Sequence, residues 1–218
     1  MKKAFTLAEI LITLLVIGIV SSLVIPAILQ DTQEQEYYIG TKKAMSILQN
    51  ALDKLVADGS DFSFYEVGHN SMDIRQEFGT VLSYSKIGPM SQIFPNGARY
   101  YYYKSTKISV LPDYASAVLN NGQLIRFGDV PNGCTAKSPS GTLANICADV
   151  LFDINGYKGP NMFGKDLHYF FVVKRGSRYK AYPLGSNNDG YTCVSGSTTS
   201  TTSKGCAMYR ISDWAMPQ

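Results

Sequence analysis

The hydrophobic positions predict one long helix at the start of the chain. About 20 uncharged residues, 10–29, are enough to cross the hydrocarbon core of a bilayer. After a polar stretch, apolar side chains return at intervals of three and four residues, which marks one buried helical face. This face comprises Tyr38, Thr41, Ala44 or Met45, Leu48, Ala51 or Leu52, Leu55 and Val56. Because Asp58-Gly59-Ser60-Asp61 is a stop signal, we predict a helix over 5–57, about 80 Å long, with Gly18 and Pro26 as points where it can bend.

The pattern after residue 59 is mainly that of strands and turns. Residues 116–127 predict a hairpin with Asn121-Gly122 as its turn. Further strands are predicted at 80–87, 99–111, 148–154, 167–174 and 178–184, and a short helix at 73–78. One long helix followed by a run of strands indicates an α+β fold, with the second half of the helix packed on a single antiparallel sheet.

Composition changes this picture little. A chain of 218 residues fits one helix plus one globular body, and a body of about 160 residues can bury its own core. Only 17% of the residues are charged and the net charge is +3. Such a small excess does not favour nucleic acid or an acidic membrane surface as the main partner.

The four cysteines are Cys134, Cys147, Cys193 and Cys206. None forms a C-x-x-C pair, and both histidines lie apart from them, so the spacing does not favour zinc. Two local disulfides are the simplest of the three possible pairings. Disulfides imply an oxidising compartment outside the cytoplasm, and each short loop would contribute roughly 3 kcal/mol.

Charged residues near the N-terminus predict the orientation of the chain in the membrane. Lys2 and Lys3 precede the apolar run, which predicts a cytoplasmic N-terminus and an extracytoplasmic body. Glu9 lies inside the apolar run, unlike the neutral core of a secretory signal. Because a carboxylate in hydrocarbon costs a few kcal/mol, Glu9 is a candidate functional residue.

These residues form a specific motif. The short basic leader ends in Ala4 and is followed by Phe5-Thr6-Leu7-Ala8-Glu9 and the apolar run. This resembles the prepilin-type cleavage and methylation motif of type IV pilins and type II secretion pseudopilins. The resemblance implies that prepilin peptidase cuts between Ala4 and Phe5 and methylates the new amine of Phe5. Gly18 and Pro26 match helix-loosening positions of that family, whereas Ala4 stands where the family usually has Gly.

The resemblance also implies a structural role without catalysis. The chain would be a filament subunit that packs on other subunits through its N-terminal helix and is built in by an inner-membrane assembly platform. Glu9 would pair with the Phe5 amine of a neighbour, so that a subunit in the wrong register leaves a charge unpaired. The implied organisation is a leader (1–4), a transmembrane and filament-core helix (5–29), its amphipathic continuation (30–58) and a pilin-like body (59–218).

Two alternatives stay open. Within the family, residues 153–161 resemble a segment of secretion pseudopilins, whereas the two disulfides and the Ser/Thr-rich residues 195–203 favour an exposed surface loop and a pilus or minor pilin. Outside it, the chain could be an anchored binding protein that never polymerises and serves DNA uptake or adhesion. Glu9 separates these readings, because a monomeric anchor has no use for an acid in the bilayer.

The remaining motifs favour structural rather than functional interpretations. Asp153, Asn155 and Asp166 could supply oxygen ligands to Ca²⁺, but Asp, Asn and Gly also simply form turns. The tyrosines at 100–103 could stack on single-stranded DNA, although in a strand two would pack under the helix and two would lie at the surface. His168 lacks a partner nucleophile, and we predict a surface or half-buried histidine and no enzyme.

Overall fold

The computed structural model describes residues 6–60, 71–95, 97, 99–128, 134–185, 189–196, 199 and 201–212. The chain divides into two compact units, Met1–Glu36 and Tyr37–Gln218. The predicted cleavage site between Ala4 and Phe5 lies outside the described residues.

The elements follow the predicted order, with one long helix before the strands. The helices are α1 (Leu7–Ala57), α2 (Ser71–Gly79), α3 (Met90–Ile93), α4 (Thr201–Lys204) and α5 (Cys206–Ile211). The strands are β1 (Tyr84–Pro89), β2 (Arg99–Tyr101), β3 (Ile108–Val110), β4 (Ala115–Leu119), β5 (Leu124–Gly128), β6 (Ile146–Asp153), β7 (Leu167–Arg175) and β8 (Arg178–Pro183).

The main sheet has six antiparallel strands in the order β1-β4-β5-β6-β7-β8. This confirms the predicted α+β class, in which a long helix precedes an antiparallel sheet. The prediction of a single sheet was wrong, because β2 and β3 form a separate two-stranded sheet. The predicted strand over 99–111 is broken by a turn, in which the Ser105 amide donates to the Tyr102 carbonyl and Lys104 has a φ of 48°.

The second half of α1 packs on one face of the main sheet. Its buried side chains are Tyr37, Thr41, Ala44, Leu48, Ala51, Leu52 and Leu55, so the buried face begins at Tyr37 rather than at the predicted Tyr38. They join a core that includes Ile125, Phe152 and Phe170. The helix ends at Ala57, as predicted. Gly59 (φ 86°) follows as its cap, and the amides of Gly59 and Ser60 donate to the carbonyls of Val56 and Leu55.

The opposite face of the sheet is also covered, by α3, the β2–β3 hairpin and loops. Tyr100 belongs to this second core, and Tyr103 packs on the Cys193–Cys206 disulfide. Both are about 1% exposed, whereas Tyr101 is 38% exposed. Tyr102 is half-buried, so the four tyrosines do not alternate in burial, and the prediction that two of them pack under α1 was wrong.

Gln49 joins α1 to the edge of the sheet. Its side-chain amide donates to the carbonyl of Tyr179 at 3.2 Å, and its oxygen accepts from the amide of Ala181 at 3.0 Å. Both partners lie in β8, which is an edge strand. One glutamine therefore pairs with backbone groups that an edge strand otherwise leaves open.

Two disulfides tie the loops of the body together. Cys134 is bonded to Cys147 and Cys193 to Cys206, each pair separated by 13 positions. These are the short-loop pairs among the three possible pairings. The second disulfide holds α5 to the segment that follows residue 189.

Candidate functional sites

The first half of α1 exposes its apolar side chains. Within the part of the chain that the structure describes, α1 is the one helix long and apolar enough to span a membrane. Its most apolar window has a mean hydropathy of 2.7 and none of it is buried. Leu7 and Leu23, for example, are 76% and 72% exposed. This surface needs an apolar environment, which a bilayer or neighbouring helices can supply.

Glu9 caps the start of α1. Its carboxylate accepts hydrogen bonds from the amide and the hydroxyl of Thr6, both at 2.8 Å. The Glu9 amide in turn donates to the Thr6 hydroxyl oxygen at 3.3 Å. This reciprocal arrangement is a capping box. Glu9 therefore has a local role that the sequence interpretation did not include, and its carboxylate stays exposed in the single chain.

The loop between β6 and β7 forms a second polar site. Asp153 ends β6, and in the sheet it lies opposite Leu167, the first residue of β7. Asp166 precedes Leu167 and organises the loop: its two carboxylate oxygens accept from the amides of Asn161 and Met162, each at 2.7 Å. The strand register therefore places the two predicted carboxylates at the same end of neighbouring strands.

Several side-chain oxygens in this loop are buried and form no hydrogen bond of good geometry with any residue that the structure describes. They are both carboxylate oxygens of Asp153 and the side-chain oxygens of Asn155 and Asn161. Asp153 and Asp166 are fully buried, and Asn161 is 6% exposed. The Asn155 amide nitrogen is oriented by a 3.1 Å bond to the Gly159 carbonyl. Since buried acceptors are normally paired, this group of oxygens is unusual.

Burial also changes the acidity of both carboxyls. Burial, and then the neighbouring Asp166, raise the pKa of Asp153 well above its ordinary value, although the amides of Asn155 and Gly156 oppose this. Burial raises the pKa of Asp166 to about 6, against the lowering effect of the Met162 and Asn161 amides. Two bare negative charges are therefore disfavoured in this loop, and a proton or a bound cation would relieve the cost.

The donor set has the composition that Ca²⁺ takes, namely carboxylate and amide oxygens. The predicted ligands Asp153, Asn155 and Asp166 are near one another, since the charge of Asp166 acts on Asp153 and the Asn155 side chain bonds to Asp166. Asn161 joins them, and sequence reasoning did not single it out, although it also precedes a buried segment. Among the described residues no group of three or more His, Cys, Asp or Glu side chains could hold a metal, so amide oxygens would have to complete this site.

His168 is buried rather than surface-exposed or half-buried, so that prediction was wrong. It is 1% exposed, and its Nε2 donates to the Lys165 carbonyl at 2.9 Å. Burial lowers the pKa of His168 to about 3, so the ring is neutral at physiological pH. Its position in β7, within a run of inward-facing apolar residues, explains the burial.

The Ser/Thr-rich segment is only partly an exposed loop. Residues 197, 198 and 200 lie outside the described residues, but Thr201–Lys204 forms α4. Ser203 is fully buried, and its hydroxyl oxygen accepts from the Tyr103 amide at 3.1 Å. The prediction of a wholly exposed loop was therefore wrong at its C-terminal end, where the disulfide at Cys206 draws the chain onto the body.

Comparison with known proteins leaves these sites to be interpreted from their own residues. The chain matches no protein-family model, no curated protein and no solved structure.

Proposed function

We propose that the protein is a non-enzymatic filament subunit of the pilin or pseudopilin type. Prepilin peptidase removes residues 1–4, and the mature chain is held in the inner membrane by the first half of α1. The body lies on the extracytoplasmic side. An inner-membrane assembly platform then moves subunits into a filament in which the α1 helices pack on one another.

The observation that carries this proposal is the single acid at the start of an exposed apolar helix. Glu9 precedes about 20 uncharged residues, and none of the most apolar window of this helix is buried. Helix capping would serve a plain anchor as well, but it does not require a charge at this depth, whereas a filament can use the carboxylate to pair with the amine of an adjacent Phe5. The body has hydrophobic cores of its own, formed by residues from Tyr37 onward, which is compatible with this role.

The intact mass and the N-terminal peptide of the protein from membranes of its native host test the proposal. We expect a chain that starts at a methylated Phe5, together with filaments containing it in sheared cell-surface or membrane fractions. Whether those filaments are surface fibres or short secretion pseudopili decides between a type IV pilus and a type II secretion system.

A stable chain that still begins at Met1 and never enters a filament would contradict the proposal. It would instead support the alternative, an anchored extracytoplasmic binding protein. A chain that begins beyond Leu29 would exclude both, because the anchor would be lost.

We also propose Ca²⁺ as a structural ligand of the β6–β7 loop, held by Asp153, Asn155 and Asp166 with Asn161. The support is the set of buried oxygens that form no hydrogen bond of good geometry with the described residues. Bound Ca²⁺ would offset the repulsion between the two carboxylates and fix the loop.

A further inference from the structure

A cleft of about 330 Å³ lies on the sheet face opposite α1. Its floor is formed by side chains of the three central strands, including Arg126 of β5, Asp149 of β6 and Tyr169 of β7. Tyr114, Tyr191 and Lys204 line it from the surrounding loops and α4. Small-molecule sites have this size and this mixture of aromatic walls with a few polar groups.

Arg126 is the central cation of the cleft and is 2% exposed. Its guanidinium pairs with Asp149 and donates to the Tyr169 hydroxyl at 3.2 Å. It also lies 5.0 Å from the ring centre of Tyr114 and 5.3 Å from that of Tyr169. The pair with Asp149 is possible because Gly128 lies opposite Asp149, where a Cβ would overlap its carboxylate.

A purely structural role would account for the Arg126–Asp149 pair, but it does not account for the Nε of Arg126. The Nε of Arg126 is buried and has no hydrogen-bond partner among the described residues. A buried guanidinium N–H without an acceptor is costly, so a ligand that supplies an acceptor would gain from it.

Lys204 is the second cation. Its ammonium lies 4.4 Å from the ring centre of Tyr169 and forms no ion pair with any residue that the structure describes. Burial lowers the pKa of Lys204, although Asp149 opposes the effect. Lys137 also lines the cleft, but it is exposed. Of the charged lining residues that are buried or half-buried, Arg126 and Lys204 are positive and Asp149 is negative, which leaves one positive charge in excess.

We propose that this cleft binds a small aromatic carboxylate, with its anionic group at Lys204 and its ring among the tyrosines. One excess positive charge fits a monoanion better than a phosphate dianion. Apolar lining from Phe171 and Leu184 suits the ring. The tyrosines act as neutral hydrogen-bond donors, since burial raises the pKa of Tyr191 to about 12. This inference does not depend on filament formation.

The test uses 4-fluorobenzoate and the full-length chain in detergent micelles and phosphate-free buffer, followed by ¹⁹F NMR. We expect saturable line broadening of 4-fluorobenzoate. Its neutral analogue 4-fluorobenzamide should bind at least about tenfold more weakly, because the charge-assisted contact is lost. Inorganic phosphate at the same concentration should displace little of the bound probe.

Matched variants locate the site. Lys204→Met should lower the affinity for 4-fluorobenzoate about tenfold or more and change that for the amide little. Lys204→Arg keeps the charge and should retain most of the affinity. Lys180→Met makes the same change at an exposed lysine of β8 and should have no effect. Circular dichroism of each variant confirms that the fold is kept.

Three results would overturn the proposal. The first is no saturable binding of 4-fluorobenzoate by the wild-type chain. The second is equal binding by the wild-type chain and Lys204→Met, which would place the probe elsewhere or in the micelle. The third is full displacement by inorganic phosphate, which would indicate a general anion site.

Discussion

Gly40 of α1 lies against Ile154, the residue that follows β6. A Cβ built on Gly40 would be 2.8 Å from Cδ1 and 3.2 Å from Cβ of Ile154, closer than atoms normally approach. The body therefore depends on the absence of a side chain at this point of the helix.

Gly40→Ala should lower the free energy of unfolding of the full-length chain by about 1 kcal/mol, because overpacking outweighs the better helix propensity of alanine. In the Ile154→Ala background the same change should be neutral or stabilising by up to about 1 kcal/mol. Urea unfolding followed by circular dichroism in detergent measures both. Additive effects of the two substitutions would show that the contact does not matter.

Glu9 and Thr6 separate helix capping from filament assembly. Glu9→Gln keeps a side chain that can complete a capping box but removes the charge, so we expect filaments to be lost while the protein stays in the membrane. Thr6→Ala removes the cap, at a cost of about 1 kcal/mol of helix stability, and should leave filaments in place. Electron microscopy of sheared fractions, with immunoblots of membranes, distinguishes the two. Normal filaments from Glu9→Gln would contradict a pairing role for its charge.

The Asp153 loop predicts a specific dependence of stability on pH. The pKa of Asp166 is raised in the fold from 3.8 to about 6, so its protonation stabilises the fold fully below about pH 4. This contribution is lost as the pH rises through about 6, and Asp153 acts in the same direction. Asp153→Asn cannot ionise and should therefore be more stable than the wild type at pH 7.5 in EDTA. The difference should shrink towards pH 4.

The quantity to measure is the difference in the free energy of unfolding between the wild type and the variant at each pH. Absolute values are not enough, because His168 changes the stability with pH in the opposite direction. Its pKa is lowered from 6.5 to about 3, so its contribution is present above pH 6.5 and lost as the pH falls. Asp58→Asn, at an exposed position, is the control. No gain of stability from Asp153→Asn at pH 7.5 would show that the buried Asp153 carboxylate does not destabilise the fold.

Calcium should stabilise the wild-type chain and not Asp153→Asn. At a hundredfold excess over its dissociation constant, Ca²⁺ would add about 2.7 kcal/mol to the free energy of unfolding. Thermal unfolding at pH 7.5 in Ca²⁺, in Mg²⁺ and in EDTA measures this, and the gain should fall at pH 5 as the carboxyls take up protons. Equal unfolding temperatures in Ca²⁺ and in EDTA would show that this loop does not bind calcium.

The two disulfides close loops of equal length, which makes them a matched pair. Loop closure alone predicts a loss of about 3 kcal/mol when either pair is replaced by serines. Cys134 and Cys147 belong to the main core, where they are 6% and 9% exposed. We expect the larger loss from Cys193 and Cys206, because they are more buried (4% and 1% exposed) and form a small core with Tyr103. Urea unfolding of the two double-serine variants compares them. A larger loss at Cys134 and Cys147 would contradict the importance of this small core.

Periodic features could be predicted from the sequence, whereas contacts between distant segments could not. The repeat of apolar residues gives α1 and its stop at Gly59, and the Asn121-Gly122 turn gives the β4–β5 hairpin. The turn at 102–105 was missed because Lys104 is not a usual residue for a positive φ. The separate β2–β3 sheet follows from that turn.

The candidate sites show the same division. Asp153 and Asn155 are neighbours in sequence, so their grouping was visible, and Asp166 was expected from its nearness. The cleft was not predicted, since the sheet and a disulfide bring Arg126 and Lys204 together. A charged residue within the apolar strand 124–127 is the one signal that could have indicated it.

Gln49 has a consequence for how copies of this chain meet. In the proposed function many copies share one membrane, and an open strand edge would let them associate through backbone pairing. With its amide on Tyr179 and Ala181, Gln49 occupies that edge at β8, and Pro89 ends β1 at the other edge without an amide hydrogen to offer. Association is then left to side-chain contacts, which are reversible, so the proposed filament would be able to shorten as well as grow.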